Sequence, residues 1–101
     1  MSYKDLAPAE AFSQLKNYHV IDIRDLDAGA AVLAGSRNIP LAEIEGIKLD
    51  KNTALLIYCQ RGIRSLIAIE KLEQLGYTRL TNLAGGIDAW LTDDLPVTFW
   101  K

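Results

Sequence analysis

Ala54-Leu55-Leu56-Ile57-Tyr58-Cys59-Gln60-Arg61-Gly62-Ile63-Arg64-Ser65 runs from a continuous apolar segment into a polar loop that holds the chain's one cysteine. The apolar run has the length of a strand covered on both faces, as strands of a parallel sheet are. Behind the loop, Ile63 to Leu75 sets Ala68, Ile69, Leu72 and Leu75 three and four apart, with Glu70, Lys71, Glu73 and Gln74 opposite. That is an amphipathic helix, and Gly76 supplies its stop, since glycine readily takes positive φ. Strand, loop and helix in this order place Cys59 at the carboxyl edge of a parallel sheet, where such sheets bind ligands. A helix N-terminus and the charges of Arg61 and Arg64 both favour a thiolate there. The dipole alone is worth about one pKa unit, which leaves the arginines to supply the rest.

Working outward, Tyr3 to Leu6 reads as an edge strand and Pro8 opens a helix over Ala9 to Lys16, with Ala11, Phe12 and Leu15 facing a core. Proline fits the first turn of a helix because its missing N–H has no partner there anyway. Tyr18 to Ile23 is β-branched and apolar and predicts a central strand, ending in the polar cluster Asp22-Ile23-Arg24-Asp25. Alanine-rich Leu26 to Ala34 predicts at most a short, irregular helix, because Gly29 costs about 1 kcal/mol against alanine. Ser36 to Ile39 suggests a short strand closed by Pro40, Leu41 to Ile47 a helical turn or two, and Asp50-Lys51-Asn52 a turn. Arg79 to Leu83 alternates like a strand, Ala84-Gly85-Gly86 turns, and Ile87 to Leu91 begins a last helix that ends before Pro96. Strands alternating with helices imply an α/β fold with right-handed crossovers.

Composition bounds the function. The chain has 101 residues, 50% hydrophobic and 24% charged, enough for one modest core, and residues 1–101 read as a single domain. A net charge of −2 offers no basic excess for a phosphate backbone, so nucleic acid is not an expected partner. No apolar run approaches the roughly 18 residues that suggest a membrane span. The N-terminal Met-Ser-Tyr-Lys-Asp lacks the apolar stretch of a signal peptide, and one cysteine cannot form an internal disulfide, so a cytoplasmic location is expected.

Two readings of Cys59 remain open on the loop's physics alone. It is either a small buried hydrophobe beside solvated arginines or a nucleophile in a nest of backbone N–H groups, which Gly62 allows to curl sharply. His19, the chain's one histidine, lies in a strand far from Cys59 and reads as structural. A Cys-His protease or a zinc site therefore lacks its other members, and no metal or cofactor is expected. Thioredoxin-like chemistry lacks the second cysteine of its motif.

Three blocks in order give a sharper reading. Val20-Ile21-Asp22-Ile23-Arg24-Asp25, Cys59-Gln60-Arg61-Gly62-Ile63-Arg64-Ser65 and Leu83-Ala84-Gly85-Gly86-Ile87-Asp88-Ala89-Trp90, with Leu95-Pro96-Val97 after it, resemble the motifs of single-domain rhodaneses over almost the whole chain. The resemblance implies a three-layer sandwich, with a central, mostly parallel five-stranded sheet and helices on both faces. It also implies a sulfurtransferase in which Cys59 takes sulfane sulfur from thiosulfate or a similar small anionic donor and passes it to a thiol or cyanide. Gln60, Arg61, Gly62, Ile63, Arg64 and Ser65 would hold substrate and persulfide. Asp22 and Arg24 would support the site, Arg24 as the partner of Asp22, Asp25 or another acid.

The alternative is a protein-interaction module or a low-turnover relay that hands sulfur to a protein acceptor, with Phe99 and Trp100 free to dock a partner or to fold back. A phosphatase-like reading fits less well, because Cys-x5-Arg loops carry the arginine one residue later than Arg64. The chain departs from the family at Ala31 to Ser36, where a Gly-His-Ile-Pro-Gly-Ala segment is usual, and this bears on substrate choice more than on the sulfur carrier. Trp90 reads as core.

Overall fold

The computed structural model describes residues 3–101. Its elements in chain order are β1 (Tyr3–Leu6), α1 (Pro8–Ser13), β2 (His19–Asp22), β3 (Ala31–Val32), β4 (Arg37–Asn38), β5 (Leu55–Tyr58), α2 (Arg64–Gln74), β6 (Leu80–Leu83), α3 (Gly86–Thr92) and β7 (Thr98–Phe99), with 3-10 turns at Leu15–Asn17 and Leu41–Gly46. Five strands form one sheet in the order β1-β6-β5-β2-β4, with every pairing parallel. The apolar run of the opening stretch is thus the central strand, as its lack of polar alternation requires.

Side-chain alternation along β5 divides the core. Leu55, Ile57 and Cys59 fall on one face with Ile21, Ile23 and Leu80, packed by Ala68, Ile69 and Leu72 of α2 and by Ile44 and Tyr77. Leu56 and Tyr58 fall on the other with Val20 and Leu83, packed by Ala11, Ile87 and Trp90 and by Leu33. Helices on both faces make the three layers. Trp90 is fully buried, and its indole N–H donates to the Pro96 carbonyl at 3.0 Å, so its one polar atom is satisfied.

Four local expectations change. Leu26 to Ala34 holds no helix. Gly29 sits at φ +87°, Ala31 and Val32 pair antiparallel with Thr98 and Phe99, and Trp100 exchanges backbone hydrogen bonds with Gly29 and Ala30. Alanine's helix propensity is worth only tenths of a kcal/mol per residue and yields to this ladder with the far end of the chain. The same ladder shows Trp100's segment folded back, although the Phe99 ring stays 64% exposed.

The first helix ends at Ser13, whose hydroxyl donates back to the Glu10 carbonyl, and a 3-10 turn replaces its last residues. Such a bond competes with helix continuation. Phe12 is not core: it is 44% exposed and meets Trp90 edge-on, ring centroids 5.8 Å apart. Finally, α2 starts at Arg64 and Ile63 stays outside it, largely exposed.

His19 opens β2 in register with Leu55, four residues before Cys59. At about 3.3 Å per residue the offset is roughly 13 Å, so the imidazole sits at the opposite end of the sheet from the sulfur. Its Nε2 is buried without a hydrogen-bond partner. Among the described residues no helix is long and apolar enough to cross a membrane.

Truncating Trp90 removes the largest fully buried side chain of the α1/α3 face. Trp90→Ala is expected to lose roughly 3–5 kcal/mol of stability, read as a lower urea midpoint in equilibrium unfolding.

Candidate active site

Cys59 follows the last residue of β5 and, by strand alternation, faces α2. What curls the next residues around it is α3. The N–H groups of Ile87 and Asp88 donate to the carbonyls of Cys59 and Gln60, each at 3.0 Å. Gly86 lies between, at φ +63°, where a Cβ would stand 2.5 Å from the Gln60 oxygen and 2.6 Å from that of Cys59. No other residue fits so close a crossing of backbones.

With those carbonyls turned away, the following amides turn inward. The N–H groups of Gly62 and Ser65 point at the sulfur at 3.2 and 3.4 Å, and the Ser65 hydroxyl lies 3.5 Å from it. Gly62 makes the turn at φ +84°, and a Cβ there would meet the backbone nitrogen of Gly85 at 3.0 Å. Cys59 as a whole is only 2% exposed. Burial pushes the thiol up, but the Ser65 hydroxyl and the N–H groups of Ser65, Gly62 and Arg61 outweigh it and hold Cys59 below the ordinary cysteine value.

The sequence-predicted residues divide by role. Ser65 is fully buried in the first turn of α2, with its N–H toward the sulfur and its Oγ 3.5 Å away, where it accepts from the thiol. Arg61, Ile63 and Arg64 are exposed on the rim, and neither arginine pairs with a carboxylate among the described residues. Gln60 turns its side chain outward rather than to the sulfur: it accepts from Arg24 Nη1 at 3.1 Å and donates to Asp88. Gln60 therefore enters the loop only through its backbone.

Asp22 and Arg24 form a buried pair. The guanidinium donates to both carboxylate oxygens, the closest at 2.7 Å, and also to the Ala31 carbonyl. The backbone N–H of Arg24 adds a further bond to Asp22 at 2.9 Å. Burial pulls Arg24's pKa down, yet the hydrogen bonds and charge of Asp22 raise it. Asp25 is exposed and takes no part in the pair. Arg24 thus ties β2 to Gln60 and to the Ala31 segment, and touches no atom of the sulfur nest.

Three residues escaped the sequence reading as members of the site. Asn82 of β6 accepts the Ser65 hydroxyl at 2.5 Å, Asp5 of β1 accepts from Asn82 at 2.9 Å, and Asp88 holds Gln60. Asn82 interrupts an otherwise apolar strand face, a usable signal. Asp5 shows none, because only the pairing of β1 with β6 brings it opposite Asn82.

A buried cysteine at the carboxyl end of a central parallel strand, nested in N–H groups and pinned by a Gly-Gly turn, defines a class of small α/β domains. A model of the rhodanese-like domain matches residues 7–93, and the chain belongs to that family. It is 28% identical over 95 residues to the thiosulfate sulfurtransferase GlpE of Coxiella burnetii, covering 89% of each chain. It is 35% identical over 81 residues to a sulfurtransferase of Allochromatium vinosum, covering 77% of this chain and 76% of that one. The crystal structure of a rhodanese-related protein from Thermoplasma volcanium superposes with a TM-score of 0.81 at 30% identity, covering 95% of this chain and 98% of that one.

The lowered thiol has a readable consequence. The rate of Cys59 alkylation by iodoacetamide is expected to rise with pH about a midpoint below that of a free cysteine. Because the folded value is the depressed one, the thiolate's contribution to stability is full above the unfolded value and is lost as pH falls through the folded midpoint. A midpoint at or above the free value contradicts the nest.

Proposed function

We propose that the protein is a sulfurtransferase that carries sulfane sulfur as a persulfide on Cys59. The observation that bears most weight is the convergence of the Gly62 and Ser65 N–H groups on one buried sulfur, with the Ser65 oxygen beside it. The Cys59 thiolate attacks the outer sulfur of thiosulfate. The sulfur–sulfur bond of the donor breaks, its electron pair leaves on sulfite, and a persulfide remains. A thiolate or cyanide then attacks the outer persulfide sulfur, and Cys59 departs as thiolate. This is two-step covalent catalysis, and the amides that stabilise the leaving thiolate also face the negative charge of the persulfide.

Arg61 and Arg64 attract the anionic donor from the rim. Arg64 borders an open pocket of about 400 Å³ shared with Ile23, Asp25, Leu41, Ala42 and Lys71, so its charge is reachable from solvent. Loop length supports sulfur over phosphate. Position six after Cys59 is Ser65, whose hydroxyl is turned inward, where a Cys-x5-Arg loop has its arginine. One residue is up to about 3.3–3.6 Å of chain, enough to separate a phosphate cradle from a sulfur cradle.

A second reading, sulfur relay to a protein thiol, is favoured by one feature of the rim. Ile63 and Ile67 stand 67% and 47% exposed beside the two unpaired arginines, more apolar surface than a small anion needs. The chemistry on Cys59 is the same in both.

The purified protein is expected to convert thiosulfate and cyanide to thiocyanate, and Cys59→Ser to abolish this while its circular dichroism is unchanged. Continuous turnover supports the enzyme, and a single stoichiometric burst supports the relay. Unchanged rates in Cys59→Ser would overturn both.

A further inference from the structure

The hydroxyl of Ser65 has one proton and two claimants. On one side is Cys59 Sγ at 3.5 Å, on the other Asn82 Oδ1 at 2.5 Å. Which takes the proton follows from a chain of forced assignments that begins at the surface. Asp5 is an exposed residue of the edge strand, and its carboxylate oxygen accepts. Asn82 must therefore turn its NH₂ toward Asp5, which it meets at 2.9 Å. Its carbonyl oxygen is left facing Ser65, and a carbonyl also only accepts. The Ser65 proton lies on Asn82, and the serine presents lone pairs to the sulfur. In that arrangement the Cys59 S–H donates to Ser65 Oγ, and the thiol, not the thiolate, is favoured on this side of the nest.

We infer that Asn82, oriented by Asp5, is a positioning residue that competes with Cys59 for the Ser65 hydroxyl proton and so sets how far the sulfur ionises. When the thiol proton leaves to solvent, its S–H···O bond to Ser65 is lost, the hydroxyl turns from Asn82 to the sulfur, one O–H···O bond breaks and one O–H···S bond forms. The cost of the broken bond opposes ionisation. The backbone N–H groups of Gly62 and Ser65 are fixed donors, whereas this hydroxyl is a donor that must be released. This deepens the sulfur-carrier reading, on which it rests: a sulfur held short of full stabilisation stays a better nucleophile toward the donor, since nucleophilicity falls as thiolate pKa falls.

Other charged groups around Cys59 do not replace this device. Arg61 and Arg64 lie on its own loop. The Asp22–Arg24 pair closes on itself at the end of β2, Tyr58 precedes the cysteine but faces the opposite side of the sheet, and Asp88 of α3 is engaged by Gln60. Asn82 alone reaches the sulfur's neighbour from behind. Both Ser65 and Asn82 are buried, at 0% and 3%, so water does not substitute for either partner freely.

The test is the pH midpoint of Cys59 alkylation in the full chain, for the parent, Asn82→Ala, Asp5→Ala, Ser65→Ala and Ser65→Ala/Asn82→Ala, with circular dichroism as the folding control. Asn82→Ala frees the hydroxyl for the sulfur and is expected to lower the midpoint by about half to one pH unit, the worth of one hydrogen bond. Asp5→Ala shifts it the same way by less. Ser65→Ala removes the donor and raises it, Ser65→Thr restores it, and in the Ser65→Ala background Asn82→Ala no longer shifts anything.

A midpoint that is unmoved or raised by Asn82→Ala, or a shift that survives in the Ser65→Ala background, overturns the inference. Should Asn82→Ala fail to fold, Asp5→Ala with and without Ser65→Ala carries the same comparison at an exposed position. Alkylation needs no sulfur donor. Shifts as expected without persulfide formation would therefore sink the sulfur-carrier reading and leave the proton competition standing, while persulfide formation without the shifts would do the reverse.

Discussion

Two hydrogen bonds from the start of α3 govern the site. By accepting from Ile87 and Asp88, the carbonyls of Cys59 and Gln60 are drawn away from the sulfur, and the peptide planes that follow can only turn their N–H groups toward it. The nest is thus a consequence of where α3 begins, and α3 begins there because Gly86 allows its backbone to press against the loop. Trp90, one turn further on, anchors that helix in the core. The core packing of one side of the sheet is in this way transmitted to the electrostatics of a sulfur on the other.

The second constraint is strand parity. Residues 55, 57 and 59 share a face of β5, as do 80 and 82 of β6 and 3 and 5 of β1. A one-residue slip in any of these strands would turn Cys59, Asn82 or Asp5 to the α3 side and dissolve the site. Parity also explains why the polar chain from Asp5 through Asn82 to Ser65 lies under α2, whose first turn delivers Ser65. Burying an amide and a hydroxyl is tolerable only because each is bonded at both ends.

Much of this was legible in the sequence. The apolar run Ala54 to Tyr58, the helical periodicity after Ile63 and the Gly-Gly-x-x-x-Trp block gave strand, loop, helix and the cysteine's address, because those patterns are local. The Asp22–Arg24 pair was legible too, two residues apart on the chain. What stayed hidden depends on contacts between distant segments. Alanine-rich Leu26 to Ala34 suggests at most a short, irregular helix on its own, and its Ala31–Val32 becomes a strand only when residues 98–100 lie beside it. Phe12 falls at core spacing, yet its helix is too short to carry it inward. Gln60 stands in the motif but is claimed by Arg24 and Asp88, which approach from two other elements.

The central claim is that Cys59 holds transferable sulfur, and the most direct measurement is the intact mass of the protein before and after exposure to thiosulfate. A gain of one sulfur atom, located on Cys59 by peptide mapping, absent in Cys59→Ser and removed by cyanide or a thiol, is the result expected. No gain, or a gain that persists in Cys59→Ser, would contradict it.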